Sequence, residues 1–208
     1  MLYDPVPVFQ RVRDERKFWA PFVVVAVIIT AVSWCMMPFV RAANAAAIAA
    51  NAPGSSIAGS PLSVIFAPLT LVVALLLGSA ILWVLVSVVG GEAKFGTLVC
   101  LELYFTVPVV LNQIVVLIML LIGGVGKVKT IADLKPALGL DALVPNAGPV
   151  LTAALGYITP FNIWNLVLLA VGVHVAQKTS KNGGIAVAII SGLIGIGFAI
   201  GAAFLGKR

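Results

Sequence analysis

Glu102 is the residue whose type and place in this chain most plainly invite chemistry. It stands seven residues after Phe95 in an otherwise apolar run, about 10 Å along a helix that rises 1.5 Å per residue. An ionised carboxylate in hydrocarbon costs about 2.5–3.5 kcal/mol on insertion scales. Glu102 is therefore expected to face a bundle interior and find a partner there, or to keep its proton. Thr106 and Gln113 follow it by four and eleven residues, on the same helical face. His174 is the only histidine and precedes Lys178 by four residues, roughly 6 Å from the end of its own apolar run. If those two helix ends share a side of the membrane, Glu102 and His174 lie at similar depth. Their pairing would make either a proton-linked or cation-binding site, or a structural clasp between helices.

Familiar catalytic sets are not expected. Ser191-Gly192 lacks the preceding glycine of an intramembrane serine protease motif, and Asp4, Asp14, Asp133 and Asp141 all fall outside the apolar runs. The chain carries no P-loop, HExxH or dinucleotide fingerprint. With one histidine and isolated Cys35 and Cys100, too few ligands are available for a transition metal. Both cysteines read as small buried hydrophobes, and no cofactor is expected.

The elements that must position Glu102 follow from composition. The 208 residues are 62% hydrophobic, with 13 basic and 7 acidic side chains. The mean hydropathy is +1.17. Charged residues make up 10% of the chain, against about 25% in a soluble domain. Seven of the charges precede Phe18, and only Arg41, Glu92, Lys94 and Glu102 fall between Phe18 and Gly123. A water-soluble fold, a disordered chain and a disulfide scaffold are excluded on these counts. The basic residues are too scattered to form a nucleic-acid face. The expected class is all-α, a polytopic membrane protein.

Five spans are expected, over about 18–40, 63–89, 95–122, 161–177 and 184–205. Residues 1–17 precede them as an amphipathic interfacial segment, and 18–208 form the transmembrane domain. Gly90-Gly91-Glu92-Ala93-Lys94 and Lys178–Gly183 read as tight hairpins. The first loop breaks at Pro53-Gly54-Ser55-Ser56, and the longest loop, Gly123–Pro160, holds the apolar stretch Val150–Tyr157. That stretch is too short to span and reads as interfacial or re-entrant. Basic residues divide seven to six between the two sides. The cluster before the first span then decides, placing the N-terminus in the cytoplasm and the C-terminus outside the inner membrane.

Within the first segment, Phe9, Val12 and Phe18-Trp19 alternate with Arg11, Arg13, Arg16 and Lys17. This pattern suits either a helix touching anionic lipid headgroups or a basic flank that sets topology. At span four, Asn162 is expected to cap the helix and Trp164 to sit in the interfacial belt or at a partner contact. Pro108 predicts a kink in span three. In span five, Gly184, Ala188, Gly192 and Gly195 share one face, and Gly197 and Gly201 form a GxxxG. Such faces serve intramolecular packing, self-association or docking to another membrane protein.

Four stretches fall together in a suggestive order. They are Asp4-Pro5-Val6-Pro7-Val8-Phe9 with Phe18-Trp19-Ala20-Pro21-Phe22, the Gly-Gly turn before Phe95-Gly96, Pro108, and Thr159-Pro160-Phe161-Asn162-Ile163-Trp164-Asn165 running on to Gly172. With this order and spacing the chain resembles the bacterial branch of the Yip family of Ypt/Rab-interacting membrane proteins. The resemblance implies five membrane helices and a cytosolic N-terminus. Eukaryotic members of that family bind prenylated small GTPases, but the DLYGP and GYG motifs of that branch are absent here. For a bacterial member the resemblance implies an accessory partner of other membrane machines, ABC exporters among them. The expected function is thus a non-enzymatic, membrane-organising or partner-binding subunit. The other reading is a small ion- or proton-coupled transporter or channel using Glu102 and His174.

Overall fold

Apolar runs this long bury their backbone polar groups only by forming helices, and helices dominate the computed structural model, which describes residues 5–49, 59–144 and 148–205. The Pro53–Ser56 break, Asp4, Pro145 and the terminal Lys207 and Arg208 lie outside the described residues.

A ten-residue helix, α1 (Val6–Glu15), comes first, and Arg16 ends it in a left-handed conformation at φ 47°. The first long helix, α2, runs Trp19–Ala49. It extends nine residues past the expected end at Val40, because the alanine-rich stretch after Arg41 favours helix. The second span begins as a short α3 (Pro61–Ile65), breaks at Phe66, and continues as α4 (Ala67–Val88). Next comes α5 (Phe95–Gly123), which carries Pro108 inside an unbroken helix. Three single 3₁₀ turns follow, Val125–Lys127, Ala132–Leu134 and Leu140–Leu143. The apolar stretch of the long loop forms α6 (Pro149–Tyr157), which meets α7 (Pro160–Ala176) at a bend of 54°. The chain ends in α8 (Lys181–Leu205). Among the described residues four helices, α2, α4, α5 and α8, are long and apolar enough to cross a bilayer, and the bent α6–α7 pair, taken as one broken span, makes a fifth. Large apolar side chains stand exposed along them, Val27, Leu77, Leu121 and Leu193 among them. Hydrocarbon is the solvent that suits such surfaces.

The chain divides into two compact units. One draws on Met1–Pro21, Leu75–Val109 and Ala137–Arg208, and the other on Phe22–Ala74 and Val110–Pro136. The core of the first unit gathers Phe9 and Val12 of α1, Val86 of α4, Leu101 and Phe105 of α5, and Val173 of α7. In this unit α8 packs on both α6 and α7, and α1 packs on α7. The apolar stripe of α1 is therefore taken up by protein, with Phe9 fully buried. The second core is smaller, with Val32, Phe39 and Ala43 of α2 set against Leu117 and Leu120 of α5 and against Val128.

Candidate functional site

The polar residues of the first unit sort by helical face. On α7, Asn165 and Gly172 point to α5. The Asn165 side-chain amide donates to the Phe105 carbonyl at 3.0 Å. An added Cβ at Gly172 would stand 2.8 Å from the Phe105 ring and 3.3 Å from that of Phe9. Those two rings meet edge to face at 5.9 Å between centroids. Glycine is thus the residue that lets α1 and α5 close on α7. His174 lies two positions beyond Gly172, about 200° around the helix, and so faces α8. There its Nδ1–H donates to the Thr179 carbonyl at 2.6 Å, and its Cβ borders Gly184.

The same rule turns Glu102 away from α7. Leu101 and Phe105 face α7 in the core, and Glu102 is rotated about 100° from Leu101. Its carboxyl lies across Gly78 of α4, where an added Cβ would come within 2.6 Å of Oε1. The expected Glu102–His174 pair is not formed, since neither helix face presents one to the other. Thr106 is one turn from Glu102, but its hydroxyl donates to the Glu102 main-chain carbonyl at 2.9 Å. Gln113 lies farther along the stripe on an exposed part of α5.

Where α5 begins and α7 ends, the structure assembles a junction that the spacing of residues did not reveal. Gln177 is completely buried. Its Oε1 accepts the Lys94 N–H at 2.9 Å, and its main-chain carbonyl accepts the Glu92 N–H at 2.9 Å. Glu92 then reaches Lys178 at 2.6 Å and Lys94 at 2.5 Å. These cations, Lys178 foremost, lower the Glu92 carboxyl from its ordinary 4.5 to about 2. Two hairpins are joined through one amide side chain and one ion triad. A glutamine at the close of an apolar run is the only trace of this in sequence.

The remaining expected positions are placed as follows. Thr159, rather than Asn162, caps α7: its hydroxyl accepts the Asn162 N–H at 3.0 Å. The Asn162 side chain instead donates to the Tyr157 carbonyl at 2.6 Å and ties α6 to α7. A threonine at the capping position is the sequence signal that would have found it. Trp164 is half-buried against the core of the first unit, and Trp19 stands 74% exposed beside Phe18. On α1, Arg13 pairs with Asp14 at 2.8 Å, and Lys17 beyond it pairs with Glu15 at 2.6 Å. Arg11 and Arg16 are exposed. On α8, Gly184 backs onto Ala170, Gly192 onto Leu166 and Gly195 onto the Tyr157 hydroxyl. Gly197 and Gly201 face open space. Cys100 is buried as expected, whereas Cys35 is exposed on α2.

The comparisons with known proteins agree with this helical membrane architecture. The chain matches the Yip1 domain over residues 1–203. It is 25% identical over 202 residues to "Membrane protein YknW" of Bacillus subtilis (strain 168), covering 91% of this chain and 82% of that protein. No solved structure matches it. Two of the motifs that carried the resemblance supply Phe9, Asn165 and Gly172 to the contact of α1, α5 and α7, and the chain is a member of the Yip1-domain family of membrane proteins.

Proposed function

We propose that the chain is a non-enzymatic accessory subunit that binds a partner in the bacterial inner membrane, such as an ABC exporter. Its N-terminus is cytoplasmic and its C-terminus outside. One observation carries this reading over the transporter: the groups a proton relay through Glu102 would need are committed elsewhere. His174 is bonded to the Thr179 carbonyl and the Thr106 hydroxyl to its own helix. A relay requires titratable or hydroxyl groups in reach of one another. The small-residue positions Gly197 and Gly201, open on α8, suit close approach of another helix. Arg11 and Arg16, with Trp19, suit contact with anionic headgroups at the cytoplasmic interface.

Two measurements test the proposal. Purification in mild detergent is expected to retain a membrane-protein companion in fixed stoichiometry, whose own activity falls when this chain is deleted. Proteoliposomes of the chain alone are expected to pass sodium, potassium and protons no faster than empty vesicles. A flux that Glu102→Gln abolishes would overturn the accessory reading in favour of a transporter.

A further inference from the structure

Glu102 is an intramembrane carboxyl that no described residue meets with a hydrogen bond or an ion pair. Gly78, opposite it on α4, contributes no side chain and leaves a notch across which the carboxyl lies. Glu102 and Gly78 are only part-buried, and Leu77 beside Gly78 and Val109, seven residues on and near the same face of α5, are exposed, as suits a notch at the edge of a bilayer-facing surface. Alone, a carboxyl held here keeps its proton; ionised, it calls for an opposite charge.

Among the described residues no basic side chain pairs with it, and Arg13, Lys17, Lys94 and Lys178 are paired with other carboxylates. Between Phe18 and Gly123 its only basic residues are Arg41 and Lys94. Arg41 lies 22 residues into α2 and donates to the Gly59 carbonyl at 2.6 Å, while Lys94 precedes α5 and pairs with Glu92. A second copy of this chain would bring no other basic residue within these first three apolar runs. A metal ion is equally ill served. It wants six or more oxygen ligands for calcium or near-octahedral geometry for magnesium, and the nearby Thr106 hydroxyl is turned to its own helix. A lysine or arginine needs only the one carboxylate, and its flexible stem can lie along apolar surface.

We propose that the Glu102–Gly78 notch receives a lysine or arginine from a transmembrane helix of the partner, about 10 Å below the membrane end at which α5 begins. This rests on the accessory reading and names the chemistry of the contact. Gly78 lets the approaching ammonium or guanidinium reach the carboxylate without a side chain between them. The ion pair then selects the partner by depth as well as by charge.

The test uses the full chain in lipid vesicles, labelled with a fluorescent donor at exposed Cys35. The probes are two acceptor-labelled leucine–alanine transmembrane peptides. One carries a single lysine two turns from its cytoplasmic end, and the other has leucine there. The lysine peptide is expected to associate roughly fivefold more tightly than the leucine peptide, the scale of a favourable interhelical polar contact. Glu102→Gln, nearly isosteric, should abolish the preference. Glu102→Lys should reverse it toward a peptide with glutamate in that place. The inference fails if the wild-type chain does not distinguish the two peptides, or if Glu102→Gln keeps the preference. If Glu102→Gln retains a native companion in full, the inference fails and the accessory reading stands. If the peptide preference holds and no native companion exists, the accessory reading fails and the notch stands.

Discussion

The side chain of Asn165 donates to the main-chain carbonyl of Phe105 across 3.0 Å, three residues before Pro108. Proline has no N–H, so it leaves the Tyr104 carbonyl without its helical donor and weakens α5 at the neighbouring turn. Asn165 reinforces that turn from outside, and it ties α7 to α5 one residue from the carbonyl that Pro108 leaves without a donor. Replacing Asn165 with leucine keeps the volume and removes the donor. The expected cost is about 1 kcal/mol of stability, read as reversible unfolding in mixed micelles. Asn165→Leu in a Pro108→Ala background should cost less, because an N–H at position 108 bonds the Tyr104 carbonyl and strengthens the same turn without Asn165.

Gly172 is predicted to be intolerant of even one methyl group. Alanine normally gains about 1 kcal/mol over glycine inside a helix. Here its Cβ would stand 2.8 Å from the Phe105 ring, and overpacking typically costs about 1–3 kcal/mol. Gly172→Ala should therefore destabilise the protein despite the helix propensity. It should also loosen α1, since Phe9 packs in the same contact. Trypsin cleavage at Arg11, Arg13 and Arg16, followed over time in the membrane, should be faster than in the unmodified chain. Phe105→Leu in the same chain should restore protection.

The ion triad at the hairpins predicts an acid transition. Glu92 titrates at about 2 in the folded chain, below its ordinary 4.5. The pairing with Lys178 and Lys94 therefore contributes fully above about pH 4.5 and is lost as the pH falls through 2. Amide hydrogen exchange at Glu92 and Lys94, whose N–H groups bond to Gln177, should hold steady from pH 7 to 5 once the intrinsic rate is subtracted. It should accelerate between 4.5 and 2. Glu92→Gln should exchange faster already at pH 7 and show no added acceleration in that window. Raised salt should weaken the unmodified junction in the same direction, because the side chains of the triad are part-exposed.

Hydropathy along the chain was enough for the class, all-α and polytopic in the membrane, and the resemblance of its motifs was enough for the family. The signals are the 62% hydrophobic content, the long uncharged runs and the order of the Pro, Phe-Gly and Thr159–Gly172 motifs. Those signals survive without tertiary information because membrane insertion reads length and polarity, quantities summed along the chain. The facing of each polar residue was another matter. The spacing put Glu102 and His174 at similar depth and suggested a pair, yet one lies against Gly78 and the other against Thr179. Depth follows from counting residues at 1.5 Å each, but azimuth depends on which neighbours a helix packs against, and a shift of one residue turns a side chain by about 100°. Only the packed bundle decides that angle. The same reason hid Gln177 and Gly78, whose roles exist solely because another helix stands opposite them.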